Sequence, residues 1–282
     1  MIKKFLLTTL VLLVLISSLI LYSRYIGTKG LFVREYKITN ENLTDNFHGF
    51  KVVHIGDLHY GSTFNKKDLK RLVEKINIIK PDIVVLTGDL MDKNYKLTKQ
   101  DKADMIKYLE KIEAINGKYA IKGEEDNEDF EDIITNSNFT NLNDDYTTIY
   151  NHDSNYIFLA GLSSNTKSDI DPKIDKIDKY LNSLSKEDLP IYKILIMHEP
   201  DYIDDFDYTN YNLILAGHSH NGQIRIPFIG SLYNEKGAKK YNNEYYKIKS
   251  TDFYITGGLG TSTYNFRFLN HPSINFYRLT NK

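Results

Sequence analysis

The stretch that decides the fold is Gly217-His218-Ser219-His220-Asn221-Gly222-Gln223, which directly follows the apolar run Leu213-Ile214-Leu215-Ala216. A short apolar run that ends at a glycine is typical of a buried strand. Two imidazoles one residue apart at a strand end suit neighbouring metal ions better than they suit core packing. The stretch therefore predicts a buried strand whose end carries metal ligands.

Three earlier apolar runs end in the same way. The ligand-type side chains that follow them are Asp57 and His59 after Val52–Ile55, Asp89 after Ile83–Leu86, and His198 after Ile194–Met197. In open α/β sheets, ligands bind beyond the carboxyl ends of the strands. Each motif alone is weak evidence, but together they predict that four strand ends converge on one site.

Strands alternate with amphipathic segments through most of the chain, which indicates βαβ units and a mostly parallel sheet. The predicted helices are Lys66–Ile79, Thr98–Ile115 with Thr98 as N-cap, and Pro172–Leu184 with Asp171 as N-cap. Later β-rich segments, Tyr245–Ile248, Phe253–Thr256 and Ile274–Arg278, predict a second, mixed sheet packed on the first. The fold class is α/β.

Composition excludes several classes of function. The formal net charge of −1 gives no basic surface for nucleic acid, so nucleic-acid binding is not expected. The 282 residues include no Cys, which rules out disulfides and thiolate ligands. Any metal must be held by His, carboxylate or amide groups.

The N-terminus carries a candidate membrane anchor. Phe5–Tyr22 is an uncharged stretch of 18 residues, and as a helix it spans about 27 Å, close to the roughly 30 Å hydrocarbon core. A cleaved signal peptide is the alternative, although no A-x-A-like site follows. Lys3 and Lys4 favour a cytoplasmic N-terminus and an extracytoplasmic domain, despite Arg24 and Lys29 on the other flank. We expect an anchor over residues 1–24, a linker and lead-in over 25–48, and a catalytic domain over 49–282.

The predicted site has the composition of a two-metal centre. Four His and two Asp form a mixed nitrogen and oxygen set that suits manganese, iron or zinc and is too rich in imidazole for calcium. Two such ions about 4 Å apart can clamp a phosphate and lower the pKa of a bridging water. The expected reaction is therefore phosphoester hydrolysis.

Four motifs, Gly56-Asp57-Leu58-His59, Gly88-Asp89, His198 and Gly217-His218-Ser219-His220, resemble the ordered motifs of the calcineurin-like metallophosphoesterase family. The segments 217–230 and 257–268 are similar to its membrane-anchored bacterial branch. The resemblance implies a four-layer αββα sandwich of two mixed sheets flanked by helices. It also implies one metal on Asp57, His59 and His220, a second on His198 and His218, a bridging Asp89 and a bridging hydroxide. The implied substrate is a phosphomonoester or phosphodiester, including lipid-linked or envelope-linked ones.

The sequence departs from the family at Gly123-Glu124-Glu125-Asp126, where the pattern is Gly-Asn-His-Asp/Glu. Glu124, or alternatively Asn127, would complete the second metal site, and Glu124 as a ligand favours manganese over zinc because it lowers the net charge. Glu125 is either a general acid, which requires a raised pKa, or part of a solvated acidic helix start. The alternative function is accordingly a catalytically weakened module that binds metal or phosphate.

Arg267 completes the candidate residues. It is expected either at the entrance of the site, where a guanidinium suits phosphate, or in a surface salt bridge.

Overall fold

The computed structural model describes residues 1–164 and 170–282, excluding the Asp171 side chain. The helices are α1 (Ile2–Leu21), α2 (Lys66–Ile79), α3 (Lys99–Leu109), α4 (Asp129–Asn136) and α5 (Asp171–Ser183). The strands are β1 (Phe32–Thr39), β2 (Lys51–Ile55), β3 (Ile83–Leu86), β4 (Lys118–Ala120), β5 (Thr140–Asn141), β6 (Asp145–Tyr150), β7 (Tyr156–Leu162), β8 (Tyr192–Met197), β9 (Leu213–Ala216), β10 (Arg225–Ile226), β11 (Gly230–Ser231), β12 (Tyr245–Ile248), β13 (Thr251–Ile255) and β14 (Ser273–Thr280).

Two six-stranded mixed sheets form the centre of the fold. The first has the order β1-β14-β2-β3-β4-β5, and β2 to β5 run parallel. The second has the order β12-β13-β9-β8-β7-β6, with β7, β8, β9 and β13 parallel and antiparallel strands at both edges. Strands β3 and β9 are buried along their whole length, as expected for apolar runs covered on both faces.

Three apolar clusters separate four layers. The first cluster joins α2, α3 and α4 to one face of the first sheet and includes Leu72 and Phe130. The second lies between the sheets and includes Val85 and Leu215. The third packs α5 on the outer face of the second sheet. This arrangement confirms the predicted αββα sandwich.

The structure corrects two predictions about individual elements. The segment Ile274–Arg278 does not join the second sheet: β14 lies between β1 and β2 in the first, antiparallel to β2. The helix predicted to reach Ile115 ends at Leu109. Lys118 Nζ accounts for that end, because it donates to the carbonyls of Leu109 (3.1 Å) and Glu110 (3.2 Å).

The N-terminal helix is long and apolar enough to cross a membrane. All residues of α1 are exposed, and α1 continues through a π-helical turn at Tyr22–Ile26. The turn packs on the domain: the Arg267 backbone N–H donates to the Ser23 carbonyl (2.9 Å), and the Tyr22 ring meets Phe268 edge-on at 6.1 Å. Length and composition make a membrane span possible but do not distinguish it from a signal sequence.

Candidate metal centre

The backbone turns sharply at the strand ends that carry the predicted ligands. Asp57, His59, Asp89, His218 and His220 all have positive φ, between 42° and 62°. This left-handed region costs energy for residues other than glycine, and such strain is concentrated at functional sites. The turns aim these side chains towards one another from both sheets.

Asp57, His59 and His220 form the first cluster. All three are buried, and each offers a ligand atom within 4.8 Å of the others. His59 Nε2 lies 3.0 Å from His220 Nε2, which in turn lies 3.9 Å from Asp57 Oδ1. Asp57 Oδ2 is buried and finds no hydrogen-bond partner among the described residues 1–164 and 170–282. A buried carboxylate oxygen without a partner is costly unless a cation satisfies it.

Asp89, Glu124, His198 and His218 form the second cluster, again with ligand atoms within 4.8 Å of one another. The Glu124 carboxylate is in close contact with His198 Nε2 and lies 2.8 Å from His218 Nδ1. Asp89 Oδ2 lies 3.5 Å from His198 Nε2 and 3.6 Å from His59 Nε2. Asp89 therefore stands between the two clusters.

Hydrogen bonds to the other ring nitrogens orient three of the imidazoles. His198 Nδ1 lies 2.6 Å from the Thr87 carbonyl, and His218 Nε2 lies 2.8 Å from the Lys236 carbonyl. His59 Nδ1 lies 3.0 Å from Glu125 Oε2. When these nitrogens donate, the opposite nitrogen of each ring keeps a lone pair directed into its cluster, as in known metal sites.

Charge in the clusters is balanced by protons when metal is absent. Burial lowers the pKa of His59, but the hydrogen bond to Glu125 and the charge of Asp89 outweigh it and raise the pKa to about 9. Burial raises the pKa of Asp57 to about 6. Burial and the nearby His59 lower the pKa of His220 well below its usual value, so this imidazole is neutral. Cations that bind here would replace the protons on the charged imidazoles.

Glu125, the predicted general acid, lies directly behind the His59 ring. The Glu125 side chain is only 2% exposed, so it is not part of a solvated helix start. Its carboxylate accepts hydrogen bonds from His59, Lys93 Nζ (2.8 Å) and Ser262 Oγ (2.9 Å). Burial raises the pKa of Glu125, but His59 and Lys93 more than offset it and lower the pKa to about 2. Glu125 is therefore an ionised acceptor that holds the His59 ring.

Glu124 and Asn127, the two alternative ligands, lie in different surroundings. The Glu124 carboxylate lies in the second cluster. Asn127 is exposed before α4, and its side-chain oxygen accepts from the Asp129 backbone N–H at 2.8 Å.

Arg267 lies neither at the entrance nor in a surface salt bridge, so both predictions for it are wrong. It is fully buried and donates to the carbonyls of Gly257 (2.7 Å), Gly260 (3.0 Å) and Asn270 (3.2 Å). Its Nη2 lies 3.5 Å from His220 Nδ1. Backbone carbonyls, which a sequence does not reveal as partners, account for this burial.

Sequence reasoning missed Asp126. Its carboxylate accepts from the backbone N–H groups of Asp89 (2.9 Å), Leu90 (2.8 Å) and Gly123 (2.9 Å). These bonds join the loop of Asp89 to the loop of Glu124. The sequence signal that could have found it is its match to the last position of the Gly-Asn-His-Asp/Glu pattern, which its exposed acidic neighbour Glu128 lies outside.

The chain is similar to several known proteins. Residues 50–222 match the calcineurin-like phosphoesterase family. "Uncharacterized metallophosphoesterase YkuE" of Bacillus subtilis is 32% identical over 264 residues, which cover 92% of this chain and 88% of that protein. "Transmembrane protein with metallophosphoesterase domain" of Danio rerio is 23% identical over 269 residues, which cover 89% of this chain and 58% of the zebrafish protein. The crystal structure of TT1561 of Thermus thermophilus matches with a TM-score of 0.46 and 11% identity, over 74% of this chain and 90% of that chain.

Proposed function

Because the chain belongs to the calcineurin-like phosphoesterase family, we propose that it hydrolyses phosphoesters with two divalent metal ions, one in each cluster. The observation that carries this proposal is the position of Asp89 Oδ2, 3.6 Å from His59 Nε2 and 3.5 Å from His198 Nε2. A carboxylate in that position can serve both ions. When bound, the ions would supply phosphate clamping and an activated water.

The donor set supports a metal pair. The proposed ligands are Asp57, His59 and His220 for one ion, Glu124, His198 and His218 for the other, and Asp89 for both. A cation site requires free ligand atoms held in place. Asp57 Oδ2 is unpartnered, and three imidazoles are oriented by hydrogen bonds to the ring nitrogen that faces away from the cluster. Glu125 acts by holding His59, and Asp126 acts by holding the Asp89 loop.

Manganese is the proposed native metal, with iron and zinc as the alternatives. Imidazole and carboxylate together suit all three. Glu124 replaces a neutral amide by a carboxylate, which lowers the net positive charge of the centre and favours a harder ion. The lower charge should also weaken the hold on phosphate.

The leaving group is expected to depart without strong help from a general acid. Glu125, at the position where the family pattern has His, is ionised and held by Lys93 and His59. General-acid help is typically worth a hundredfold or more. We therefore expect aryl phosphodiesters to be cleaved well and alkyl diesters poorly.

We also propose that the helix over Ile2–Ile26 anchors the domain to a membrane in a single pass, with the domain on the extracytoplasmic side. Support comes from the length and apolar composition of the helix and from Lys3 and Lys4 before it. The zebrafish relative is itself named as a transmembrane protein.

The test is a metal-dependent assay on the full chain in detergent. Metal-stripped protein is titrated with Mn²⁺, Fe²⁺ or Zn²⁺ while bound metal is counted, and hydrolysis of bis(4-nitrophenyl) phosphate is compared with that of dibutyl phosphate. Asp89→Asn and His198→Ala should lower turnover at least a hundredfold, whereas His48→Ala, at an exposed histidine outside the clusters, should not. Two ions bound with no turnover would favour the binding module, and turnover without metal would refute the proposal.

A further inference from the structure

An apolar hairpin projects from the loop that carries His218 and His220. Strands β10 and β11 pair through Arg225 with Ser231 and Ile226 with Gly230, and the tip between them is 227–229. Phe228 at the tip is fully exposed, and Ile229 is 71% exposed. Exposed apolar residues that lie together mark interaction or membrane sites.

The backbone at the tip gives a second indication. Phe228 has a φ of 67°, and a bulky aromatic residue in the left-handed region is a conformational outlier. The pairing of β10 with β11 holds the turn in this conformation, and the turn leaves the Phe228 ring fully exposed.

The hairpin lies beside the point where the N-terminal helix meets the domain. The Phe268 carbonyl accepts from the Arg225 backbone N–H (3.0 Å) at the base of β10, while the Phe268 ring meets Tyr22 at 6.1 Å. Leu269, which is 52% exposed, lines the same cleft as Phe228 and Ile229. The apolar tip is therefore continuous with the end of the proposed anchor.

The flanks of this region suit a membrane surface. Tyr22 is the last residue of the apolar stretch and Tyr25 lies just beyond it, with the Arg24 guanidinium over the Tyr25 ring at 5.4 Å. Tyrosines are enriched at membrane interfaces, where the ring is in the apolar zone and the hydroxyl is in water.

The hairpin base is fixed to the loop of the metal centre. Arg225 Nη1 donates to the carbonyls of Asn221 and Asn242, both at 2.8 Å, and Asn221 directly follows His220. The cleft beside His218 and His220 is lined by Tyr233 and Tyr264, whose rings meet edge-on at 5.6 Å. Tyr233 lies two residues beyond β11, so the cleft opens beside the hairpin.

We propose that the hairpin tip 227–229, together with Leu269, inserts into the same bilayer that holds α1. The insertion brings the cleft to the membrane surface, where it receives a phosphoester carried on a lipid. The contact with the bilayer rests on the proposed membrane anchor, on the apolar tip and on the place of the tip next to α1. Only the second part, the lipid-borne substrate, rests on the proposed hydrolase function.

The bilayer contact is tested by tryptophan fluorescence, because the chain contains no Trp. Phe228→Trp in the full chain is reconstituted at low protein content into vesicles of phosphatidylcholine and phosphatidylglycerol, with or without brominated acyl chains. The matched control is Ile78→Trp. Ile78 is 78% exposed and lies near the end of α2. Because α2 leads into the start of β3, Ile78 is near the amino-terminal ends of the parallel strands, away from the site.

We expect a blue-shifted emission and at least twofold quenching for Phe228→Trp and less than 20% quenching for Ile78→Trp. Equal quenching of the two variants would overturn the proposal. An emission shift that appears only at high protein content would also overturn it, since that result indicates contact between copies of the chain.

The substrate part is tested by matched esters with one leaving group. Phe228→Asp combined with Ile229→Asp should leave hydrolysis of soluble bis(4-nitrophenyl) phosphate within twofold. The same variant should lose at least tenfold on a diacylglycerol 4-nitrophenyl phosphate in the vesicles. Equal rates of variant and parent on the lipid ester would overturn the lipid assignment. If the parent hydrolyses neither ester while the quenching holds, the hydrolase function fails and the bilayer contact stands.

Discussion

Replacing Glu125 by glutamine isolates the part that its charge plays in orienting His59. The carboxylate accepts from His59 Nδ1 (3.0 Å), Lys93 Nζ (2.8 Å) and Ser262 Oγ (2.9 Å). Glutamine keeps nearly the same volume but has one acceptor oxygen for these donors, and its amide nitrogen cannot accept at all. His59 thereby loses the anionic partner that makes its Nε2 a stronger ligand.

The expected loss of metal affinity is ten- to a hundredfold, which corresponds to about 1.4–2.7 kcal/mol. The loss should fall mainly on one of the two ions, because His59 belongs to the first cluster and not to the second. Competition with a chelator of known affinity measures it, with Glu131→Gln as the control at an exposed position on α4.

A purely structural role for Glu125 gives a different outcome. Thermal unfolding of the metal-free variant would then show a lower midpoint, whereas both metal affinities would stay within twofold of the parent. That pair of results would refute the idea that Glu125 acts through His59.

Three further changes test other parts of the structure. Glu124→Asn replaces the carboxylate by a neutral amide ligand. In steady-state assays we expect a higher ratio of zinc-supported to manganese-supported activity and severalfold tighter inhibition by phosphate. An unchanged activity ratio would contradict the charge argument. In Arg267→Lys, the lysine ammonium cannot donate to all the carbonyls that Arg267 contacts, and an unsatisfied buried carbonyl costs about 1–3 kcal/mol. Urea unfolding should therefore show that the free energy of unfolding falls by roughly 2 kcal/mol or more. The control Arg24→Lys should show little change. Burial lowers the pKa of Lys118 to about 8, below its unfolded value of about 10.4. Between these two pH values the unfolded chain therefore binds more protons than the folded chain. The free energy of unfolding of the parent, measured against that of Lys118→Met in urea titrations, should rise from pH 8 to pH 10. A difference between parent and variant that does not change with pH would contradict this.

The local parts of the fold could be predicted from the sequence. Helix α2 has the predicted bounds because its start and apolar face are both encoded locally: Asn65 and Asp68 form a capping box, and Leu69 and Leu72 lie on its buried face. The four ligand-bearing strands were found for the same reason, since each is a short apolar run that ends at or near a turn.

Pairing across long stretches of chain could not be predicted. The sequence shows β14 as a β-rich run, but only the assembled structure shows that it pairs with β2 and β1 rather than with the second sheet. The surroundings of Glu125 could not be predicted for the same reason, because its partner lies far away in the sequence. A role as a general acid would require a raised pKa, whereas His59, which is 66 residues away in sequence, lowers the pKa of Glu125.

The two acidic replacements are compensated within the structure, and this favours a working centre over a decayed one. Each new carboxylate has cationic or imidazole partners: Glu124 has His198 and His218, and Glu125 has His59 and Lys93. A carboxylate held away from water is costly without a partner, so these contacts let the fold accommodate both replacements.

This compensation predicts how the protein responds to metal removal. Asp57 Oδ2 has no hydrogen-bond partner among the described residues, and a bound ion would supply one. Ions that bind the folded state alone stabilise it by about 2.7 kcal/mol at a hundred times their Kd. Chelation should therefore lower the thermal midpoint, and Mn²⁺ should restore it. Asp57→Asn should largely abolish the response, because it weakens the donor set while leaving the fold. A midpoint that does not respond to chelation in a protein shown to bind two ions would mean that the ions bind outside the two clusters.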